Sequence, residues 1–548
     1  MKRLMLLVGW MMLSGCDAGQ GDATPQLADR TESETPNFLL IVADDLGYTD
    51  LGAFGGEIDT PNLDQLALQG IRLTDFHTSA SCAPTRAMLL TGNDNHVVGM
   101  GSQGSLVTTA QAQLPQYSNS LLPDHPTIAE LLGEAGYRTY AAAKWHVGST
   151  PASLPGARGF DRSFVLLEGG AGHFDDTPLF AHYEASWLED DQRITLPREF
   201  YSSDELTQRL INYIDTDQAQ HKPFFAYLGF TAPHWPLQAP PEDINKYADR
   251  YLDGWDQLRL QRMQGARQSG VVPPDASAVD FEAGMQPWDE LDLSQQALEA
   301  RTMAVYSAMV DRLDQNVGHL LDYLRQSQVL DNTVIIFLSD NGAEAHRMEE
   351  PANRDGWIEQ NFDDDLSAIG TAASYVTLGP AWARATAVPF RASKSKMSEG
   401  GTRVPAFVSL PQHRRVEAAG SGTIDASYHR VMDLLPSLLH AAGLTIPASV
   451  RGKSQWSRWL GGSAVYQDTT VAAELYGRRM ARRGDWKILL QEAPYGTGEW
   501  QLYNLAEDLG EQHDLSAQYP QVRTELIQAW QRYAQEVGVL LPEHPISY

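Results

Sequence analysis

Four short apolar runs in this chain end abruptly in polar, chemically capable residues. Phe38 to Ala43 runs into Asp44-Asp45, and Tyr137 to Ala143 runs into Lys144-Trp145-His146. Phe224 to Phe230 runs into Thr231-Ala232-Pro233-His234, and Val334 to Leu338 into Ser339-Asp340-Asn341. A run that is apolar at every position, not every second one, reads as a strand buried on both faces, which is typical of a parallel sheet. In such sheets ligands bind at the carboxyl ends of the strands. The four runs therefore predict one sheet edge that gathers carboxylates, a lysine and histidines.

Helical patterns lie between the runs. The strongest spans Met303 to Leu324, with Tyr306, Met309, Val310, Leu313, Val317, Leu320, Leu321 and Leu324 on one face. Strand and helix alternate, so the fold class is α/β. Residues 150–200, 239–298 and 345–392 read as irregular or helical insertions between the strand blocks, with Asp363-Asp364-Asp365 a solvated acidic face. Beyond Gly452 the pattern changes. Trp486 to Leu490 and Trp500 to Tyr503 read as antiparallel strands, and Leu526 to Val537 as an amphipathic helix. The formal net charge of −29 argues against a nucleic-acid partner.

Asp44, Asp45, Asp340 and Asn341 are hard-oxygen donors. They suit Ca²⁺ or Mg²⁺, whereas zinc prefers His or Cys. Ca²⁺ is favoured because it tolerates irregular geometry and more protein ligands. Either dipeptide alone reads as a turn former; placed after two buried strands, the pair reads as a metal set. Cys82 precedes a helix predicted over Pro84 to Leu90 and closed by Gly92. The residue types leave three readings open: an inert buried thiol, a thiol nucleophile with a His partner, or a modified residue.

The segment Cys82-Ala83-Pro84-Thr85-Arg86, continuing to Thr91-Gly92, resembles the signature of the formylglycine-dependent sulfatases. The blocks Asp44-Asp45, Gly47-Tyr48, Lys144-Trp145-His146-Val147-Gly148 and Thr231 to Pro236 match that family in order. So do Ser339-Asp340-Asn341-Gly342 and Lys394 followed by Glu399 to Pro405. The likeness is greatest to bacterial aryl and alkyl arylsulfatases, and Asn93-Asp94-Asn95-His96 adds to it. Ala83 stands where the family often has Ser.

The resemblance implies a large mixed, mainly parallel sheet sandwiched by helices, as in the alkaline-phosphatase-like superfamily, with a small C-terminal α+β subdomain on an antiparallel sheet. It implies a catalytic domain over 37–455 and a C-terminal subdomain over 456–548. It also implies that a formylglycine-generating enzyme of the host converts Cys82 to formylglycine (3-oxoalanine), whose hydrate attacks the sulfur of a small anionic sulfate ester. Asp44, Asp45, Asp340, Asn341 and residue 82 would hold one metal. Arg86 would hold the nucleophile, Lys144 and Lys394 the sulfate oxygens. His234 would protonate the leaving alcohol, and His146 would take a proton from the second hydroxyl. Lys396 is a neighbour that spacing to Glu399-Gly400-Gly401 disfavours. Trp145 and Trp235 read as packing residues by default.

Lys2-Arg3 and the apolar stretch Leu4 to Leu13 read as a signal peptide, too short to span a bilayer. Leu13-Ser14-Gly15-Cys16 resembles a bacterial lipobox. This predicts a signal peptide over 1–15, a lipidated Cys16, and a polar tether over 16–36 that holds the protein on a membrane in the bacterial envelope, facing the periplasm. Competing readings are a phosphodiesterase or phosphonate monoester hydrolase on the same fold, and a binding lipoprotein with a dead site. A two-zinc phosphatase would need an Asp-His-His cluster that does not accompany Asp340 and His346.

Overall fold

In the computed structural model, residues 35–546 are described, apart from 182, 218–219, 281–284, 349–355, 364 and 415–421. The signal, lipidation and most of the tether, including Cys16, lie outside the described residues.

A ten-stranded sheet runs through the molecule. Its strands are β1 (Asn37–Ala43), β2 (Ile71–Leu73), β4 (Arg138–Lys144), β5 (Arg162–Leu166), β6 (Trp187–Glu189), β7 (Gln192–Arg193), β8 (Phe224–Gly229), β9 (Thr333–Ser339), β10 (Ala406–Ser409) and β11 (Thr423–Asp425). Their order is β11-β2-β10-β9-β1-β8-β4-β5-β6-β7. A two-stranded sheet pairs β3 (Phe76–His77) with β12 (His429–Arg430). The four strands read from sequence are the adjacent parallel quartet β9-β1-β8-β4. Register is tight at the carboxyl end: Ala43 opposes Ser339, Val42 opposes Gly229, and Gly229 opposes Ala143. The polar residues that follow therefore emerge side by side.

The continuous apolar runs have a direct cause. Successive strand residues point to opposite faces, and both faces are covered. Leu39, Ile41, Ala226, Leu228, Ile335 and Phe337 pack with Met303, Tyr306, Met309 and Val310 of the helix Leu293–Gln326. Phe38, Leu40, Val42, Phe225, Ile336 and Leu338 pack with Ala83, Ala87 and Leu90 of the helix Cys82–Thr91. Burial of each such large side chain contributes roughly 1.5–3 kcal/mol. The long helix begins at Asp292, which forms a capping box with Gln295.

The signature helix starts at Cys82, two residues before the predicted start. Thr85 N–H already bonds Ser81 O at 3.2 Å, and Pro84 sits in the first turn, where its missing N–H costs nothing. Gly92 ends the helix with φ 64°, as predicted. Residues 150–200 depart from the reading as an irregular or helical insertion. They supply β5, β6 and β7: β5 pairs with β4 and β6 across long connections, and β6 and β7 form a hairpin of only three and two residues, too short to show an alternating pattern.

The C-terminal sheet is an antiparallel meander of β13 (Val471–Leu475), β14 (Arg478–Arg483), β15 (Trp486–Leu490) and β16 (Gln501–Asn504). The helix Pro520–Val537 covers one face through Leu526 and Trp530. Two buried charge clusters join this sheet to the main body. Lys487 Nζ lies 2.8 Å from Glu399 and 2.7 Å from Glu511. His96 sits between Asp94 (3.2 Å) and Glu474 (2.8 Å), and Tyr533 donates to Asp94.

His96 carries a pH prediction. Burial opposes its charge, but hydrogen bonds to Asp94 and Glu474 win and raise its pKa to about 9. A raised cationic pKa stabilises the fold fully below the ordinary value near 6.5 and loses that contribution as pH rises through about 9. The contribution is about 3 kcal/mol. The melting temperature is expected to fall over this window in the wild type and much less in His96→Gln. Parallel pH profiles for the two proteins would refute the assignment.

Candidate active site

The carboxyl edge of β9-β1-β8-β4 gathers all the site residues predicted from sequence that fall on or next to these strands. Asp44 and Asp45 follow β1, Asp340 and Asn341 follow β9, Lys144 ends β4 and His146 lies two residues on. All are fully or almost fully buried except His146, which is half-buried. Backbone bonds lock the strand exits together: Asp44 N–H donates to Ala232 O and Asp340 N–H to Ala43 O, both at 3.0 Å.

Lys394 comes from a distant segment. Gly342 makes its approach possible. A Cβ there would lie 1.9 Å from Gly400 O, so the Asp340-Asn341-Gly342 turn packs directly on the Gly400-Gly401 backbone. Lys394 N–H then bonds Ala343 O at 3.0 Å, and its ammonium reaches Asp45 at 2.8 Å. Lys396 points elsewhere, over the ring of Tyr495.

Acid and base alternate around the cavity. Lys144 Nζ donates to Asp44 Oδ2 at 2.6 Å. Arg86 donates to Asp340 Oδ2 through Nε (3.0 Å) and Nη2 (2.6 Å), and to Lys144 O and Tyr227 Oη through Nη1. Asn341 Nδ2 donates to Asp45 Oδ1 at 2.5 Å. Burial, the largest effect, lifts the Asp45 carboxyl to about 7 against the pull of Lys394.

At this edge, Asp44 Oδ1 and Asn341 Oδ1 are buried with no hydrogen-bond partner among the described residues. An orphaned buried acceptor costs about 1–3 kcal/mol. One ligand atom each from Asp44, Cys82 and Asp340 lie within 4.8 Å of one another. Orphaned hard oxygens beside clustered carboxylates fit a divalent cation, held by Asp44, Asp340, Asn341 and Asp45.

Cys82 occupies the first turn of its helix, where the N-terminal dipole favours negative charge. Its Sγ lies 3.3 Å from His146 Nδ1. The pair looks like a thiol–imidazole couple, yet burial raises the Cys82 pKa. An activated thiolate needs the opposite shift. Burial, followed by Lys144, holds His146 well below its ordinary pKa, so this imidazole is neutral and able to accept a proton.

His234 is also held well below its ordinary value, first by burial and then by Lys144 and Lys394. Its Nδ1 is 2.6 Å from the Trp235 carbonyl, which only accepts. Nδ1 therefore carries the hydrogen, and Nε2 lies on the side of the carboxylates, 3.7 Å from Asp45 Oδ2. His173 donates through Nε2 to His234 O and pairs through Nδ1 with Ser202. A Cβ at Gly169 would lie 2.7 Å from the His146 ring, so only glycine lets that ring in.

Several residues of the site were not predicted from sequence. Tyr227 lies inside an apolar run and offers no polar signal. Glu344 reaches Lys394 at 3.4 Å and His346 at 2.6 Å. Gln103 accepts from Ser81 Oγ at 2.7 Å, with its Oε1 4.0 Å from Cys82 Sγ. His173 and Gly169 come from an insertion with no motif.

Buried lysines, an arginine, a carboxylate cage and neutral histidines on an α/β sheet edge define a hydrolase for an anionic ester. The chain belongs to the sulfatase family, a family of sulfuric ester hydrolases that use formylglycine and a divalent metal; the family profile described as Sulfatase matches residues 36–444. It is 39% identical to an uncharacterized sulfatase of Schizosaccharomyces pombe over 541 residues, covering 93% of this chain and 95% of that protein. It is 36% identical to the arylsulfatase of Klebsiella aerogenes, covering 76% of this chain and 89% of that protein. Among solved structures, the crystal structure of Ps i-CgsB superposes with a TM-score of 0.66 at 25% identity, covering 91% of this chain and 93% of that one.

Proposed function

We propose that this protein is an arylsulfatase, which hydrolyses sulfate monoesters of phenols and alcohols to inorganic sulfate, and that Cys82 is its formylglycine site. The observation that carries the reading is the position of Cys82. Its sulfur sits between the Asp44–Asp340 carboxylates and a neutral His146 Nδ1 at 3.3 Å. The likeness to an arylsulfatase supports the substrate class. A host formylglycine-generating enzyme makes the conversion.

The formylglycine hydrate supplies the nucleophilic hydroxyl, and the bound cation, Ca²⁺ in this reading, supplies positive charge beside it. Asp44, Asp45, Asp340 and Asn341 would hold the cation. Arg86 fixes Asp340 and adds charge at residue 82. Lys144 and Lys394 bind the sulfate oxygens, and their positive charge is worth most in this buried site. His146 accepts a proton at Nδ1. His234, with its Nδ1–H held by the Trp235 carbonyl, has a bare Nε2; it takes up a proton there as the sulfate-ester anion binds beside it, and then delivers that proton to the leaving oxygen.

The N-terminal segment supports export and lipid anchoring at Cys16, with the body on a tether facing the periplasm. Residues 37–455 then form the catalytic domain and 456–548 the C-terminal subdomain.

Protein co-produced with a formylglycine-generating enzyme and loaded with Ca²⁺ is expected to release p-nitrophenol and sulfate from p-nitrophenyl sulfate. Conversion is checked on the Cys82 peptide by mass spectrometry. Converted protein that is inert on this ester, or that cleaves phosphodiesters with far higher kcat/KM, would overturn the reading.

A further inference from the structure

The aromatic residues next to His234 form a cluster separate from the two main cores. Leu179, Trp235, Ile358 and Tyr375 are its buried members, with Phe180 and Phe362 packed on them. All come from the strand-exit loop or from two insertions that bear no catalytic residue. They are not needed to cover the sheet.

Their path is specific. The His234 ring stacks on Trp235, with centroids 5.1 Å apart and planes 25° apart. Trp235 meets Phe180 edge-on at 5.7 Å, and Phe180 meets Tyr183 at 5.2 Å. Tyr183 is 42% exposed. A Cβ on Gly104 would lie 3.6 Å from Tyr183 Oη. Gly104 follows Gln103, whose Oε1 is 4.0 Å from Cys82 Sγ. The aromatic chain thus starts at the His234 ring and runs outward to the exposed Tyr183, whose Oη lies near Gly104, the residue after Gln103. Leu179 packs over Gly170, against which the His234 ring also lies.

The wall offers few polar partners. Tyr375 Oη donates to Leu179 O, and Leu179, Phe180, Ile358 and Phe362 carry no polar side-chain atom. A polyhydroxylated leaving group placed here would lose hydrogen bonds to water without replacement. A flat apolar one would lose none and gain ring contacts beyond simple burial.

We infer that Phe180 and Tyr183, backed by Trp235, form the leaving-group wall and select aryl over sugar sulfates. The inference rests on the proposed sulfate-ester chemistry and adds its specificity determinants. Phe180 and Tyr183 supply no charged or imidazole group to the site, so substitutions there report on leaving-group recognition.

The test compares kcat/KM for 2-naphthyl sulfate, ethyl sulfate and glucosamine 6-sulfate in converted, Ca²⁺-loaded wild type, Phe180→Ala, Phe180→Leu and Tyr183→Ala. Phe180→Leu keeps most of the volume and guards against misfolding. The expected result is a loss of about tenfold on the naphthyl ester, carried by KM, with less than twofold change on ethyl sulfate and a wild-type preference for the aryl ester over the sugar. Equal losses on all three esters, or unchanged naphthyl kinetics, would overturn the wall while leaving the arylsulfatase reading intact. A wild type that cleaves the sugar sulfate but neither of the others would overturn both. A wild type inert on all three would overturn the activity itself.

Discussion

Cys82→Ala is expected to cut sulfate release from p-nitrophenyl sulfate by at least ~10,000-fold, because it removes the nucleophile and not merely a group that assists it. Alanine is a good helix residue, and residue 82 lies in the first turn of the helix Cys82–Thr91, so the fold should survive. The same prediction separates the two chemistries that the Cys82–His146 pair allows. A thiol nucleophile would leave the Cys82 peptide at its unmodified mass in the active protein. A formylglycine exchanges one sulfur and two hydrogens for one oxygen, and activity should scale with the converted fraction. Full activity in unconverted protein, or in Cys82→Ala, would sink the mechanism.

Metal removal should have the second-largest effect. Asp44, Asp45 and Asp340 are buried together, and Asp44 Oδ1 and Asn341 Oδ1 have no hydrogen-bond partner among the described residues. Lys144, Lys394 and Arg86 offset part of the charge, but they approach the other oxygens. A cation is the group that answers the remaining two. Dialysis against a chelator is expected to abolish turnover, and Ca²⁺ to restore it. Binding at a hundred times Kd adds about 2.7 kcal/mol to stability, so the melting temperature should fall by a few degrees on removal and recover on addition. Protein shown by elemental analysis to be free of metal, yet unchanged in both measurements, would refute the cation site. Comparing Ca²⁺ with Mg²⁺ decides the ion: a preference for Mg²⁺ would correct the choice made from ligand number.

The strand exits were legible because their cause is local. A segment buried on both faces must be apolar throughout, so the first polar residue after it marks the sheet edge. That rule placed Asp44, Lys144, Asp340 and, a few residues on, His146 and His234. Gly92 was legible as a helix stop for the same reason. Gln103, Glu344, His173 and Gly169 were not, because each acts through a contact with a residue distant in the chain. Tyr227 was hidden by its own strand: its ring serves the core while only its hydroxyl reaches Arg86. The strands β5 to β7 were missed because their pairing is decided by neighbours and not by their own short sequences.

The sequence by itself determined the α/β class, the edge where chemistry collects and the residue types able to perform it, because burial and backbone geometry act over a few adjacent residues. Only the tertiary structure decided how those residues are used. It set Lys394 on Asp45 through the contact of Gly342 with Gly400. It fixed the protonated nitrogen of His234 through the Trp235 carbonyl. It left Asp44 Oδ1 and Asn341 Oδ1 buried without partners among the described residues, and it packed Trp235 and Phe180 in sequence from the His234 ring. Each of these depends on distances between segments far apart in the chain, and those distances exist only once the sheet has closed around its core.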